Sequence, residues 1–139
     1  MKYLFKLWMA LHVGMYRLSG GKLGGSKRGF KVLLLTTIGR KSGKAHTVPL
    51  GYFERPESYV IVASNAGLPT HPAWYHNLKS NPQVTVQVLE KRMPATAEVL
   101  VGEARAQAWQ QVIASAPTYQ DYQKQTTREI PLVLLRPSQ

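Results

Sequence analysis

Six consecutive residues, Gly39, Arg40, Lys41, Ser42, Gly43 and Lys44, gather three cations, a hydroxyl and two glycines into one short stretch. Glycine admits φ > 0 and close backbone approach, so successive N–H groups can form a concavity that binds an anion. Arginine adds a bidentate partner and lysine a point charge. A phosphate or carboxylate ligand suits such a turn. An ordinary solvated hairpin loop has the same composition, and the turn alone leaves both readings open.

Other chemistry finds less support. His12, His46, His71 and His76 have no carboxylate or cysteine at ligand spacing, and His71 and His76 lie five apart, off a common helix face, so no metal site is expected. Ser42 and Ser64 sit in no nucleophile-elbow pattern. The seven acids are scattered and form no carboxylate pair of the glycosidase kind. What remains is a ligand whose own chemistry the protein positions.

The elements that must present the basic turn follow from its flanks. Residues 32–37 form an unbroken β-branched and leucine-rich run, and the chain after the turn reads as a second strand to Phe53. A turn around Pro56 leads to a strand over 59–63, closed by Ser64, Asn65, Ala66 and Gly67. Thr70 or His71 is the expected cap of a short aromatic helix with Pro72 in its first turn, ended by Asn81 and Pro82. Residues 84–88 alternate as a strand with one wet face, and Lys91 and Arg92 are expected to turn the chain into a partner over 95–101. Residues 103–116 read as a helix with Trp109, Val112 and Ile113 inward, stopped by Pro117 and followed by a helical turn at 119–122. Residues 130–135 are an apolar strand in which Pro131 marks an edge or a start. Strands mostly in hairpin order, without βαβ alternation, predict a mainly β (α+β) chain built as a small antiparallel barrel with short helices around it.

The 139 residues make one barrel domain over 30–139, preceded by an amphipathic helix over 1–19 and a glycine-rich basic connector over 20–29 that disfavours regular structure. The chain has no cysteine, which excludes disulfides and thiolate metal sites and is compatible with a cytoplasmic setting. Of its formal charge of +11, ten cations precede the first acid, Glu54, giving a one-sided positive field that attracts anionic partners. Leu4, Trp8, Leu11, Met15 and Leu18 line one face of the first helix, which is too interrupted by Lys6 and Arg17 to span a bilayer. Two readings of it stay open: docking on its own domain or a second copy, and a peripheral contact of residues 1–24 with an anionic membrane surface at the inner face of the cell membrane.

The runs LLLTTIGRKSGKAHTVPL, VIVASNAG and HPAWYHNLKSNPQVTVQV, with TYQDYQ and REIPLVLL after them, resemble the deazaflavin-dependent nitroreductase and F420H2-dependent quinone reductase family of actinobacteria. The resemblance covers about residues 31–137. It implies a split β-barrel of the FMN-binding type, coenzyme F420 as cofactor, and reduction of a quinone, nitroaromatic or similar small-molecule acceptor. F420 is a 5-deazaflavin with a phosphodiester-linked oligoglutamate tail, an anion of the kind the basic turn suits.

Carried over by position, the resemblance implies that Arg40, Lys41 and Ser42 hold the phosphate. His46, Thr47, Val48, Pro49, Leu50 and Gly51 would run beside the lactyl and ribityl portion. Ala63, Ser64 and Asn65, with Val62 before them, would meet the ring edge. Ala73, Trp74, Tyr75, His76 and Asn77 would cover the tricycle, Trp74 as an apolar wall or as a core aromatic. Tyr119 and Tyr122, three apart on one helical face, would close the acceptor pocket. Ser64 and Tyr122 are the candidate catalytic donors to the anion that develops on the acceptor. The chain departs from many relatives at Asn65, where lysine is frequent, and at Ala116, where tyrosine is; these departures bear on bulky nitroimidazole acceptors, not on the cofactor.

Two other classes compete with this reading. One is a flavin mononucleotide reductase on the same barrel. The other is a basic nucleic-acid or membrane-binding module, disfavoured for nucleic acid because the cations lie in the helix, connector and turn and are not interleaved with aromatics on strands.

Overall fold

A computed structural model describes residue 13, residues 26–27 and residues 30–138. The expected N-terminal helix and connector otherwise lie outside the described residues. Val13 is helical and buried against Val32 and Leu34. Ser26–Lys27, in the stretch expected to lack regular structure, form a short strand β1 that pairs with Phe30 and Lys31.

Six strands close on themselves: β2 (Phe30–Ile38), β3 (Ala45–Arg55), β4 (Ser58–Val62), β5 (Gln83–Val88), β6 (Lys91–Val99) and β7 (Leu132–Pro137). The order β2-β3-β4-β7-β6-β5 is antiparallel throughout, and β5 returns to β2 through Leu34 with Gln87, Leu35 with Val86 and Thr36 with Thr85. Closure removes the exposed strand edges that an open sheet would have to protect. The barrel of the sequence reading is thus present, and between residues 73 and 124 three α-helices lie outside its strands: α1 (Ala73–Ser80), α2 (Gly102–Ser115) and α3 (Thr118–Lys124).

Two faces of the strands carry different work. Leu33, Leu35, Ile61, Val86, Val133 and Leu135 fill the interior, where Trp74, Tyr75 and Leu78 of α1 join them. Val60, Val62, Leu132 and Leu134 face outward from β4 and β7 and are covered by Ala108 and Val112 of α2, with Tyr119 and Tyr122 of α3 packed against them. Each fully buried Leu or Ile of this kind contributes about 1.5–3 kcal/mol by leaving water. β2 is buried on both faces, as its unbroken apolar run predicts.

Three details differ from the sequence reading, and a fourth, Pro131, takes one of its two expected roles. The β5–β6 turn is Leu89–Glu90, with Val88 opposite Lys91, so Lys91 and Arg92 belong to β6. Leu89 takes φ 54, a conformation that no glycine advertises. Pro131 precedes β7, which lies between β4 and β6, so it marks a strand start and not an edge. Helix α1 is preceded by Pro72 at its cap position, with neither Thr70 nor His71 capping it. On α2, Ala108 and Val112 are the buried pair, whereas Trp109 and Ile113 are only half-buried.

Candidate functional site

The basic turn sits between β2 and β3 and is closed by its own backbone. Gly39 N–H donates to Lys44 O, and Gly43 N–H to Gly39 O, both at 2.8 Å. Ser42 Oγ accepts from Lys44 N–H at 3.2 Å and lies 3.3 Å from His46 Nε2. A side chain at Gly39 would collide with this pair, because its Cβ would fall 2.5 Å from Ser42 Oγ and 2.9 Å from His46 Nε2. Gly39, Gly43 and Lys44 thus spend their N–H groups inside the turn, half of its six backbone donors, and the exposed cationic side chains carry its positive charge. Arg40, Lys41 and Lys44 are exposed, and the ion pairs among the described residues, Lys31–Glu54, Arg105–Glu129 and Arg136–Glu98, use none of the three.

Helix α1 holds this turn in place. Asn77 Oδ1 accepts the Arg40 N–H at 3.1 Å, and Asn77 Nδ2 donates to Thr37 Oγ1 at 3.1 Å. Asn77 and Thr37 are both buried, the polar exceptions in the described core. A buried polar pair is tolerated where each member finds a partner, as these do. Trp74 and Tyr75 are buried with the barrel interior, so the core reading of Trp74 applies; Ala73 is exposed and His76 half-buried.

Along β3 the expected ligand-facing run divides by strand alternation. Val48 and Leu50 pack against the barrel interior. Pairing of Thr36 with Thr47, Leu34 with Pro49 and Val32 with Gly51 puts Thr47, Pro49 and Gly51 on the other face, where Thr36 and Thr47 hydroxyls meet at 2.7 Å. Residues 46–51 cannot all turn side chains to one ligand. At Gly51 a Cβ would stand 3.5 Å from the Tyr119 hydroxyl, which brings α3 against the outer face of β3.

Tyr119 and Tyr122 do share a face of α3, with ring centroids 6.0 Å apart in an edge-to-face arrangement, and Phe53 of β3 meets Tyr119 in the same way at 6.0 Å. Burial, and then the neighbouring Tyr122, push the Tyr119 hydroxyl pKa above its ordinary value of 10.0, so it stays protonated as a donor well into alkaline pH.

After β4 the chain passes Ala63 and Ser64 into a tight turn in which Asn65, Ala66 and Gly67 have φ 47, 54 and 78. Two of these left-handed residues carry a Cβ, a conformation that L-residues rarely adopt in succession. Gly67 is also crowded: a Cβ there would lie 2.7 Å from Gln125 Oε1 and 3.0 Å from Tyr122 O. Asn65 Nδ2 donates to Thr70 O at 2.9 Å, and a second side chain, which sequence reading did not single out, makes most of the turn's side-chain bonds. Arg128 donates from Nη2 to Ser64 O at 2.7 Å, from Nη1 to Ala63 O at 3.2 Å and from Nε to Leu68 O at 2.9 Å, and its Nη1 lies 2.9 Å from His71 Nδ1. These partners stand 57 to 65 residues away in the chain, so no local pattern could reveal them. Burial first, then the Arg128, His76 and Lys79 charges, hold the His71 pKa below its ordinary 6.5.

The structure thus joins Arg40, Ser42, His46 and Asn77 in one cluster, and sets Tyr119 and Tyr122 with Gly51 and the 64–67 turn in another. The three exposed cations of the turn, Arg40, Lys41 and Lys44, have the chemistry to suit an anion such as the tail of a deazaflavin cofactor.

Comparison with known proteins gives a consistent result. The family model for F420H2-dependent quinone reductase matches residues 8–137. An F420H2-dependent quinone reductase of Mycobacterium tuberculosis is 40% identical over 131 residues, covering 91% of this chain and 88% of its own. A solved F420-H2 dependent reductase, FDR-A, superposes with a TM-score of 0.70 at 43% identity, covering 76% of this chain and 93% of its own. A FAD-binding protein of Mesorhizobium loti shares the fold at 15% identity, with a TM-score of 0.53 over 78% of this chain and 81% of its own.

Proposed function

This chain belongs to the F420H2-dependent quinone reductase family, and from that premise we propose how its own residues serve hydride transfer to a quinone or similar acceptor. Reduced F420, when bound, supplies a hydride, and the acceptor gains that hydride and one proton. The exposed side chains of Arg40 and Lys41, with the Ser42 hydroxyl, hold the anionic tail by charge-assisted hydrogen bonds. The observation that carries this assignment is the Asn77–Arg40 bond, which fixes a turn of unpaired cations against α1. Thr47, Pro49 and Gly51 present the outer face of β3 to the middle of the cofactor. Ser64 and Asn65 border its ring, with Val62 and Ala63 buried behind them.

Trp74 and Tyr75 stiffen the floor from within the core and leave Ala73 and His76 to meet the ligand. Tyr119 closes the acceptor side as a neutral donor, and the hydroxyls of Ser64 and Tyr122 stabilise negative charge on the acceptor oxygen as it develops. No general base is required, because the carbon-bound hydride moves directly. Titration of oxidised F420 at low and high salt tests the tail assignment: a tail held by exposed cations loses affinity as salt rises.

The finer assignment of a cytoplasmic protein whose residues 1–24 meet an anionic membrane surface rests on Lys2, Lys6, Arg17 and Lys22 beside the apolar series Leu4, Trp8, Leu11 and Met15. No helix among the described residues is long and apolar enough to cross a membrane. Sedimentation with anionic vesicles at two salt concentrations tests it; a chain that stays in the supernatant at low salt removes the membrane role.

A further inference from the structure

We propose that Arg128 is a positioning residue for the hydride-transfer step, setting Ser64 against Tyr122 by clamping the 64–67 turn to the segment that follows α3. The inference rests on the reading of Ser64 and Tyr122 as donors. Ser64 has helical dihedrals, φ −74 and ψ −33, and is followed by three left-handed residues, so the turn needs an outside constraint to persist. Its internal bonds are two, Gly67 N–H to Ser64 O and Leu68 N–H to Asn65 O. The Asn65 carboxamide adds one bond, donating from Nδ2 to Thr70 O at 2.9 Å, and the guanidinium of Arg128 adds three to Ala63 O, Ser64 O and Leu68 O. By binding the carbonyls of Ala63 and Ser64 together it fixes both peptide groups that flank Ser64, and with them the direction of the Ser64 side chain.

Arg128 is itself anchored to the helix that bears the other donor. Gln123, next to Tyr122, donates from Nε2 to Arg128 O at 2.7 Å and accepts from Ile130 N–H at Oε1 at 2.9 Å. A continuous hydrogen-bonded path therefore runs from Ser64 O through Arg128 to Gln123, one residue from Tyr122. Direct packing of Gly67 beside Tyr122 O gives the same two elements a second contact. Three acceptors and an imidazole nitrogen around one planar group need the rigid fork of arginine, which the single rotating ammonium of lysine does not reproduce.

The test is Arg128→Lys in the full chain, with three readouts. Turnover of menadione with reduced F420 is expected to fall at least about tenfold, since misplacement of reacting groups by about 1 Å can lower a rate by about a hundredfold. The dissociation constant of oxidised F420 is expected to stay near the wild-type value, because the basic turn is untouched. Without any cofactor, the amide protons of Gly67 and Leu68 are expected to exchange faster. In Arg128→Ala, methylguanidinium should restore turnover saturably and ethylammonium should not. If neither variant folds, Gln123→Leu carries the test with the same turnover and exchange readouts. Wild-type turnover and exchange in the variant that folds would overturn the positioning role, as would a loss of turnover matched by an equal loss of F420 affinity. A wild-type chain that does not oxidise reduced F420 points instead to failure of the proposed activity, which the cofactor-free exchange measurement does not depend on.

Discussion

Asn77 on α1 accepts the backbone N–H of Arg40 at 3.1 Å, a bond between residues 37 apart that ties the basic turn to the helix lying against the barrel core. The same carboxamide donates to the buried Thr37 hydroxyl, so one side chain sets both the end of β2 and the turn that follows. Asn77→Ala leaves a part-buried N–H and a buried hydroxyl without this partner. It should destabilise the fold by about 1–3 kcal/mol, the penalty for stranding such groups. F420 affinity should fall as well, although no exposed cation is removed. Urea denaturation and calorimetric titration of the same variant check both effects; an unchanged affinity would mean that the turn needs no anchor.

Arg40 and Lys41 make the complementary case. Replacing both with alanine removes charge and leaves the Asn77 bond, which uses the Arg40 backbone. We expect F420 binding to weaken by about 1.5–3 kcal/mol per lost charge-assisted contact, with thermal stability unchanged and a shallower salt dependence. An undiminished affinity would return the turn to the role of a solvated loop.

Much of this arrangement is legible in the residues themselves, and what is not has physical reasons. The β-branched run of β2, the alternation of β5 and the prolines around α1 and α2 announce their elements locally. Hairpin order then leaves a closed antiparallel barrel as the way to bury them. The cations of the turn are equally plain, but their backbone partners are not: Gly39, Arg40, Gly43 and Lys44 spend their N–H groups on local or distant acceptors. Leu89 at φ 54 and the left-handed Asn65 and Ala66 carry no glycine to signal them. Arg128 opens the REIPLVLL run, but its role is not legible there because all four of its guanidinium partners are brought to it by the tertiary fold.

His71 predicts a pH dependence of stability. Its folded pKa is lowered, so between that value and the unfolded value of about 6.5 the unfolded chain binds more protons. Stability therefore rises with pH through this window: the contribution is fully present above about 6.5 and is lost as pH falls through the folded pKa. Protonation would also set a second cation against Arg128. Urea midpoints measured on either side of the window should drop on the acid side, and His71→Gln, which keeps an acceptor for Arg128, should flatten the drop. An equal drop in the variant would assign the effect to other groups.

Tyr122→Phe removes one proposed donor and keeps the ring that packs on Tyr119. Turnover should fall roughly tenfold to a hundredfold, toward the low end of what one lost oxyanion donor gives, because half-buried Tyr122 can be replaced in part by water. F420 affinity should not change. Stopped-flow oxidation of bound reduced cofactor by menadione separates the two, and full activity in the variant would remove Tyr122 from the step while leaving the cofactor site intact.

Hydride transfer from reduced F420 to a quinone or similar acceptor unites the basic turn, the barrel and the Ser64–Tyr122 pair. The most direct measurement follows the deazaflavin absorbance of reduced F420 with menadione, with and without the full chain, beside matched reactions containing NADPH or reduced flavin mononucleotide. A hydride-donating deazaflavin held by its anionic tail predicts protein-dependent oxidation of reduced F420 and none of the other donors. Turnover with NADPH and flavin mononucleotide, and none with reduced F420, would contradict it.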